Sequence, residues 1–368
     1  MRARLRGKDL GKWSVGYLRY LLSPERRPVV DGVTHVLFAF CDHYEPLWAR
    51  VSDERGWERV QRWQELYPKV TESYRDADGR TPRHTFFFPG EQYRPRFLEA
   101  LARMARAGLG EVELHVHHDG DTETSLRRMI LTYLDQFAEH GHLARDEQGR
   151  LRYAFIHGDW ALANSRDGRY CGVDNELQVL WDTGCYADFT FPSLPVRGQP
   201  PIANRIYWPI GDLSRRCAHD HGRRACVGER MRDRLLLIQG PSALAPRPGY
   251  LMRLENGDLQ GHDGATPRRV RTWVEQHIHV KGRPEWVFVK VHTHGAPEKN
   301  AHHLLSDGAH ALHRELTTSF NDGRRYALHY VTAREMYNIA VAAMDGRSGN
   351  PAEYRDYELK PPPVAQQG

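Results

Sequence analysis

The chain lacks any apolar run of about eighteen residues, which excludes a membrane-spanning helix. It also lacks a marked excess of either charge. Against 47 acidic side chains stand 52 basic ones, a net +5 over 368 residues, too balanced to point to nucleic acid. Cysteine is scarce: the five thiols (Cys41, Cys171, Cys185, Cys217, Cys226) are odd in number and scattered, as in a reducing compartment without a disulfide framework. The basic start, Met1 to Lys8, is followed by no apolar stretch or small-residue cleavage site. No secretory signal is therefore expected, and the cytoplasm is the expected location. Glycine-rich phosphate loops and Gly-x-Ser-x-Gly elbows are absent, which counts against nucleotide kinases and α/β-hydrolases. What is present suffices for a large core: 40% of residues are hydrophobic, 10% aromatic and 27% charged.

The densest chemistry lies in Glu111-Val-Glu-Leu-His115-Val-His117-His118-Asp119-Gly-Asp121. Residues 110–118 alternate as a strand, with Glu113, His115 and His117 on one face and Leu114, Val116 and His118 on the other. A helix N-cap at Asp121 is expected to follow. Potential metal ligands thus gather where a strand ends and a helix begins, the edge where α/β folds hold ligands.

The same arrangement recurs along the chain. Apolar runs at 33–41, 84–88, 153–157, 185–191 and 286–291 read as buried strands, with further strands at 205–210, 235–239 and 326–331. Helical spacing is found at 13–22, 57–67, 96–107, 126–138, 175–182, 270–280, 303–320 and 333–343. Polar clusters stand at strand ends: Asp42-His43, His115 to Asp119, His157 to Trp160, Asp188, and His292 with His294. In a parallel α/β barrel these ends converge on one face. Glu255-Asn-Gly-Asp258 carries a hairpin signal. Cys217, His219, His221 and Cys226 fit no usual zinc spacing and read as a polar loop.

Taken together, Ala39-Phe-Cys-Asp42, Gly110-Glu-Val-Glu-Leu-His115, Val289-Lys-Val-His292 and the closing Tyr326 to Glu335 resemble the polysaccharide deacetylases with the NodB homology fold, carbohydrate esterase family four. The resemblance spans about 33–340 in order. It implies an α/β fold, a distorted (β/α)7 barrel over 29–345 with an inserted segment at about 211–266. A helical extension over 1–28 would precede it, and a loosely docked C-terminal tail over 346–368 would follow. It also implies a divergent branch, since Cys41 stands at the usual place of the general base and Asp119 at that of the second histidine. His157-Gly-Asp159-Trp160 stands where an Arg-Pro-Pro type motif would be.

What the resemblance implies is a metal-dependent hydrolase that removes N-acetyl or O-acetyl groups from an amino sugar in a polysaccharide or glycan precursor. The cofactor would be a divalent metal, zinc first, with iron, nickel or cobalt as alternatives. Asp42 and His115 are the first ligands. Strand alternation favours His117 as the third, and family spacing favours Asp119. Glu45 or His43 would serve as base, His292 or His294 as acid, and His157, Asp159 and Trp160 would meet the acetylated sugar. No nucleic-acid partner and no membrane span are expected. Two other readings are open: a metallohydrolase acting on another amide, and a metal- and carbohydrate-binding relative impaired in catalysis by Cys41.

Overall fold

The protein is described by a computed structural model covering residues 10–247 and 250–366; the basic start, Met1 to Lys8, lies outside the described residues. Its elements begin with helix α1 (Gly11–Leu21), strand β1 (Thr34–His43), α2 (Asp53–Thr71), β2 (His84–Pro89), α3 (Pro95–Arg106), β3 (Gly110–Val116) and α4 (Glu123–Glu139). Next come β4 (Ala144–Arg145), β5 (Leu151–His157), α5 (Glu176–Asp182), β6 (Cys185–Asp188), β7 (Ile206–Pro209), β8 (Gly222–Arg224) and β9 (Leu236–Ile238). The chain continues through β10 (Ala243–Arg247), β11 (Tyr250–Glu255), α6 (Pro267–Glu275) and β12 (Trp286–Thr293). It ends with α7 (Glu298–Leu304), α8 (Asp307–Phe320), β13 (Tyr326–Val331) and α9 (Ala333–Met344). Among the described residues no helix is long and apolar enough to cross a membrane.

The strands form an 11-stranded sheet: nine run in the order β12-β1-β2-β3-β5-β6-β9-β7-β8, and β13 and β4 join it beside β1 and β5. Pairing is parallel from β12 to β9, while β7 runs antiparallel to both its neighbours, β9 and β8. One edge of β1 lies along β12; its other edge is shared by β13 over Thr34 to Ala39 and then β2 over Phe40 to His43. The α/β class expected from the sequence is present, but the (β/α)7 barrel is not seen to close. Instead, the loop after β11 lies against β12, with His292 N–H donating to the Gly257 carbonyl at 3.0 Å and Leu259 N–H to the His292 carbonyl at 2.9 Å. The expected turn at Glu255 to Asp258 is therefore a pairing segment, not a hairpin. Nor is 211–266 a simple insertion: β8 and β9 are strands of the main sheet, and only β10 and β11 form a separate two-stranded sheet.

Alternation along β1 explains the layering. Val36, Phe38 and Phe40 pack in one apolar cluster with residues of α2, α3 and α4, while Leu37, Ala39 and Cys41 belong to a second cluster with α9. Helix α9 is buried along its whole length. It starts beside the first residues of β2 and β3, where Ala333 N–H donates to Thr85 Oγ1 at 2.9 Å and Arg334 pairs with Glu111 at 2.8 Å. This face of the sheet, the inner face, thus carries apolar side chains and buried ion pairs near the starts of β2 and β3, and histidines at the strand ends.

Candidate metal centre

Histidines from three strands meet on the inner face. His43 ends β1, and its ring centroid lies 5.0 Å from that of His115, 5.9 Å from that of His292 and 4.8 Å from that of His294. Glu45 places Oε1 3.2 Å from His115 Nε2 and 3.1 Å from His117 Nε2. The second nitrogen of each ring is committed elsewhere: His115 Nδ1 is 2.7 Å from the Ile156 carbonyl, and His117 Nδ1 is 2.7 Å from Glu91. A carbonyl only accepts, so His115 Nδ1 carries the proton and Nε2 of the neutral ring turns a lone pair toward Glu45. Two acceptors this close call for a cation between them, either a proton or a metal ion. Imidazoles whose rear N–H is fixed by a carbonyl or carboxylate are the usual geometry of metal-ligating histidines.

The electrostatics fit this arrangement. Burial holds His43 well below its ordinary range, helped by His294, His115 and His292. His292 is held well below as well, by burial and then Lys290, and burial lowers His115. For Glu45, burial acts to raise the carboxyl pKa, but its contacts with His115 and His117 outweigh it and hold the group far below the usual carboxylate range. For His117, burial acts downward, yet the bonds to Glu45 and Glu91 raise it to about 10. Metal-free, His117 is therefore an imidazolium bridging two carboxylates, and a metal ion would compete with that proton.

Several polar atoms at the site are buried with no hydrogen-bond partner among the described residues: His43 Nε2, Glu45 Oε2, His292 Nδ1 and Trp160 Nε1. Leaving such atoms unmet costs about 1–3 kcal/mol each, so they mark a place built to receive a polar group. Trp160 stands with its ring 6.1 Å from His43 and 6.2 Å from His294, and Trp48 lies 5.3 Å from His294.

Four expected site residues are elsewhere. Asp42 faces away from the histidines because neighbouring strand residues alternate. Its Oδ2 is 3.0 Å from His84 Nε2, and its Oδ1 accepts the Gly295 N–H at 2.6 Å, so it ties β1 to β2 and to the loop after β12. Asp119 is exposed and accepts the Tyr170 N–H at 2.7 Å. His157 is fully buried and lies 3.2 Å from Glu176, out of reach of a substrate. Asp159 faces Arg166 at 4.0 Å. The structure thus brings together His43, Glu45, His115, His117, His292, His294 and Trp160 from the residues singled out in the sequence. It adds Glu91 and Trp48, which the sequence reading passed over. Glu91 follows Pro89-Gly90 directly after a buried strand, so the rule that polar groups at strand ends matter applied to it as well. The cysteine–histidine loop at 217–226 forms no metal-competent group among the described residues.

No known family model matches the chain, and no curated protein is detectably similar to it.

Proposed function

We propose that this protein is a metal-dependent hydrolase that removes N-acetyl or O-acetyl groups from an amino sugar in a polysaccharide or glycan precursor. The observation that carries the metal is the convergence of two histidine Nε2 atoms on the Glu45 carboxylate, each ring fixed from behind. Two imidazoles and one carboxylate make a donor set used by catalytic zinc, and iron, nickel or cobalt are tolerated by the same atoms. When bound, such an ion would polarise an acyl carbonyl and lower the pKa of a water molecule it holds. His43, held neutral and with Nε2 free, is placed to take a proton, and His294 at the half-exposed rim is placed to return one. Trp160 and Trp48 offer ring faces to a sugar beside His294. The amino-sugar substrate and a cytoplasmic location are the parts of the proposal that rest on the sequence resemblance and on the scattered thiols.

A second reading, a metal- and sugar-binding relative without catalysis, draws on Cys41. Burial pushes this thiol up to about 12, so it cannot act as the base whose place it takes in the resemblance. Metal analysis and an acetate-release assay over N- and O-acetylated amino sugars separate the two readings. The hydrolase reading expects that Glu45→Gln and His117→Ala lose the metal held at Glu45 and activity together, and that Cys41→Ala keeps both. His43→Ala should cost about 100- to 10,000-fold in kcat/KM at equal metal content. Metal retained with no acetate released from any sugar would favour the second reading. Metal near background after reloading would remove both.

A further inference from the structure

A second cluster stands back to back with the first. His118 follows His117 but points to the opposite side of the sheet, where it meets His157, Cys171 and Glu176, all fully or almost fully buried. One ligand atom from each of the four lies within 4.8 Å of the others. His118 Nε2 is 3.0 Å and His157 Nε2 3.2 Å from Glu176 Oε1, and Cys171 Sγ is 3.6 Å from Glu176 Oε2. Donors about 2.0–2.3 Å from a tetrahedral zinc ion stand roughly 3.3–3.7 Å apart, so the three contacts to Glu176 are near a ligand spacing and the set as a whole would contract around an ion.

The hydrogen bonding leaves a buried ligand atom open as well. His157 Nδ1 is bonded to the Gly158 carbonyl. Its Nε2 faces the Glu176 carboxylate and has no hydrogen-bond partner among the described residues. His118 Nδ1 lies 3.3 Å from Asp121, an arrangement of carboxylate behind histidine that suits a ligating ring. Glu176 Oε2 is braced from behind by the Ala163 N–H at 2.6 Å, and Cys171 Sγ by the Val173 N–H at 3.4 Å.

The segment spanned by this cluster is conformationally costly. Asp159, Trp160, Ala163, Asn164, Asp167 and Tyr170 all have φ between 50° and 61°. Left-handed backbone is unfavourable for non-glycine residues, less so for Asn and Asp, and persists only when the surroundings impose it. Ligands from the ends of β3 and β5, from the loop at 171 and from the first turn of α5 would clamp both ends of that segment.

We propose that His118, His157, Cys171 and Glu176 bind a structural zinc ion, distinct from the metal centre at Glu45, which fixes the 158–170 loop and so positions Trp160. Four protein donors close the coordination sphere, and a thiolate with two imidazoles and a carboxylate selects zinc over harder ions. Binding releases the Cys171 thiol proton.

Cobalt titration of the metal-stripped full chain tests this, since Co2+ bound to a thiolate gives a near-ultraviolet charge-transfer absorption that histidine and carboxylate ligands do not. Wild type should take up two equivalents and show that absorption. Cys171→Ser should lose the absorption, with its affinity at this site reduced by more than the about 10- to 100-fold expected for loss of a group behind a ligand. His117→Ala should lose one equivalent and keep the absorption, which separates this site from the hydrolase centre. Zinc should also raise the melting temperature of His117→Ala. No charge-transfer absorption in folded wild type, or its persistence in Cys171→Ser, would overturn the proposal. Wild type alone decides the first point should the variants fold poorly.

Discussion

A carboxylic acid enclosed on an apolar face costs less to keep protonated than charged, and Glu113 on β3 is such a group. It is buried among inner-face residues, accepts the Ala154 N–H at 2.6 Å and the Tyr186 hydroxyl, and burial raises its pKa from 4.5 to about 8. The folded state keeps this proton up to about pH 8, whereas the unfolded chain loses it above about 4.5. Stability should therefore fall as pH rises between these values, by up to about 1.4 kcal/mol per pH unit, and level off above. Glu113→Gln should flatten that slope, read as urea midpoints from pH 5 to 9. Parallel profiles for variant and wild type would mean that Glu113 ionises normally. At this scale strand period alone paired His115 with His117, because alternation is a property of the backbone. The same rule, applied to β1, puts Asp42 on the face opposite His43, and only the sequence resemblance suggested otherwise. Glu176 and Cys171 gave no local signal, since their partners come from other strands and no fixed spacing relates them.

At the scale of elements, two helices begin with reciprocal caps in different surroundings. Thr122 and Ser125 cap α4 at the surface, and Thr332 and Glu335 cap α9 in the interior. Thr332 Oγ1 also donates to Glu111 at 2.9 Å, inside the ion-pair group that includes Arg334. Water can replace the lost cap at the surface but not in the core. Thr332→Ala should therefore cost about 2 kcal/mol or more, and Thr122→Ala about 0.5–1 kcal/mol, in chemical denaturation. Equal losses would show that burial adds nothing to the cap. The sequence placed the strands at 84–88, 286–291 and 326–331 within a few residues because they are nearly continuous apolar runs. It placed a helix at 303–320, which matches α8 but takes in only the last two residues of α7 and runs across the break at Leu305-Ser306. It expected an N-cap at Asp121, one residue early, because both Asp121 and Thr122 are capping types and only the backbone decides between them. The pairing of β9 with β6 was not legible at all, because partner choice is non-local.

For the whole molecule, the arrangement separates support from chemistry: ion pairs gather at the strand starts around α9, and histidines gather at the strand ends. The C-terminal segment belongs to the first group. The Pro361-Pro-Pro run read as a sign of loose docking, but Leu359 and Val364 are buried, and Arg355 is enclosed among acidic partners. Its guanidinium lies 3.3 Å from Asp76, 2.9 Å from Asp78 and 3.2 Å from Glu335, and donates to the Tyr330 carbonyl at 2.6 Å. Glu335 keeps Arg83 as a second partner, but Asp76 is fully enclosed, with Arg355 as its ion-pair partner and backbone N–H groups around it. Arg355→Met should therefore leave carboxylates buried without their cation and cost about 3–5 kcal/mol, seen as a large drop in melting temperature. Adding Asp76→Asn should recover part of that loss, since the double variant no longer buries the uncompensated charge. Because the clamp is at the strand starts, the folded fraction of Arg355→Met should still bind metal in the wild-type ratio. A variant that melts normally would make the C-terminal segment dispensable, and one that folds but loses its metal would mean that the two ends of the sheet are coupled.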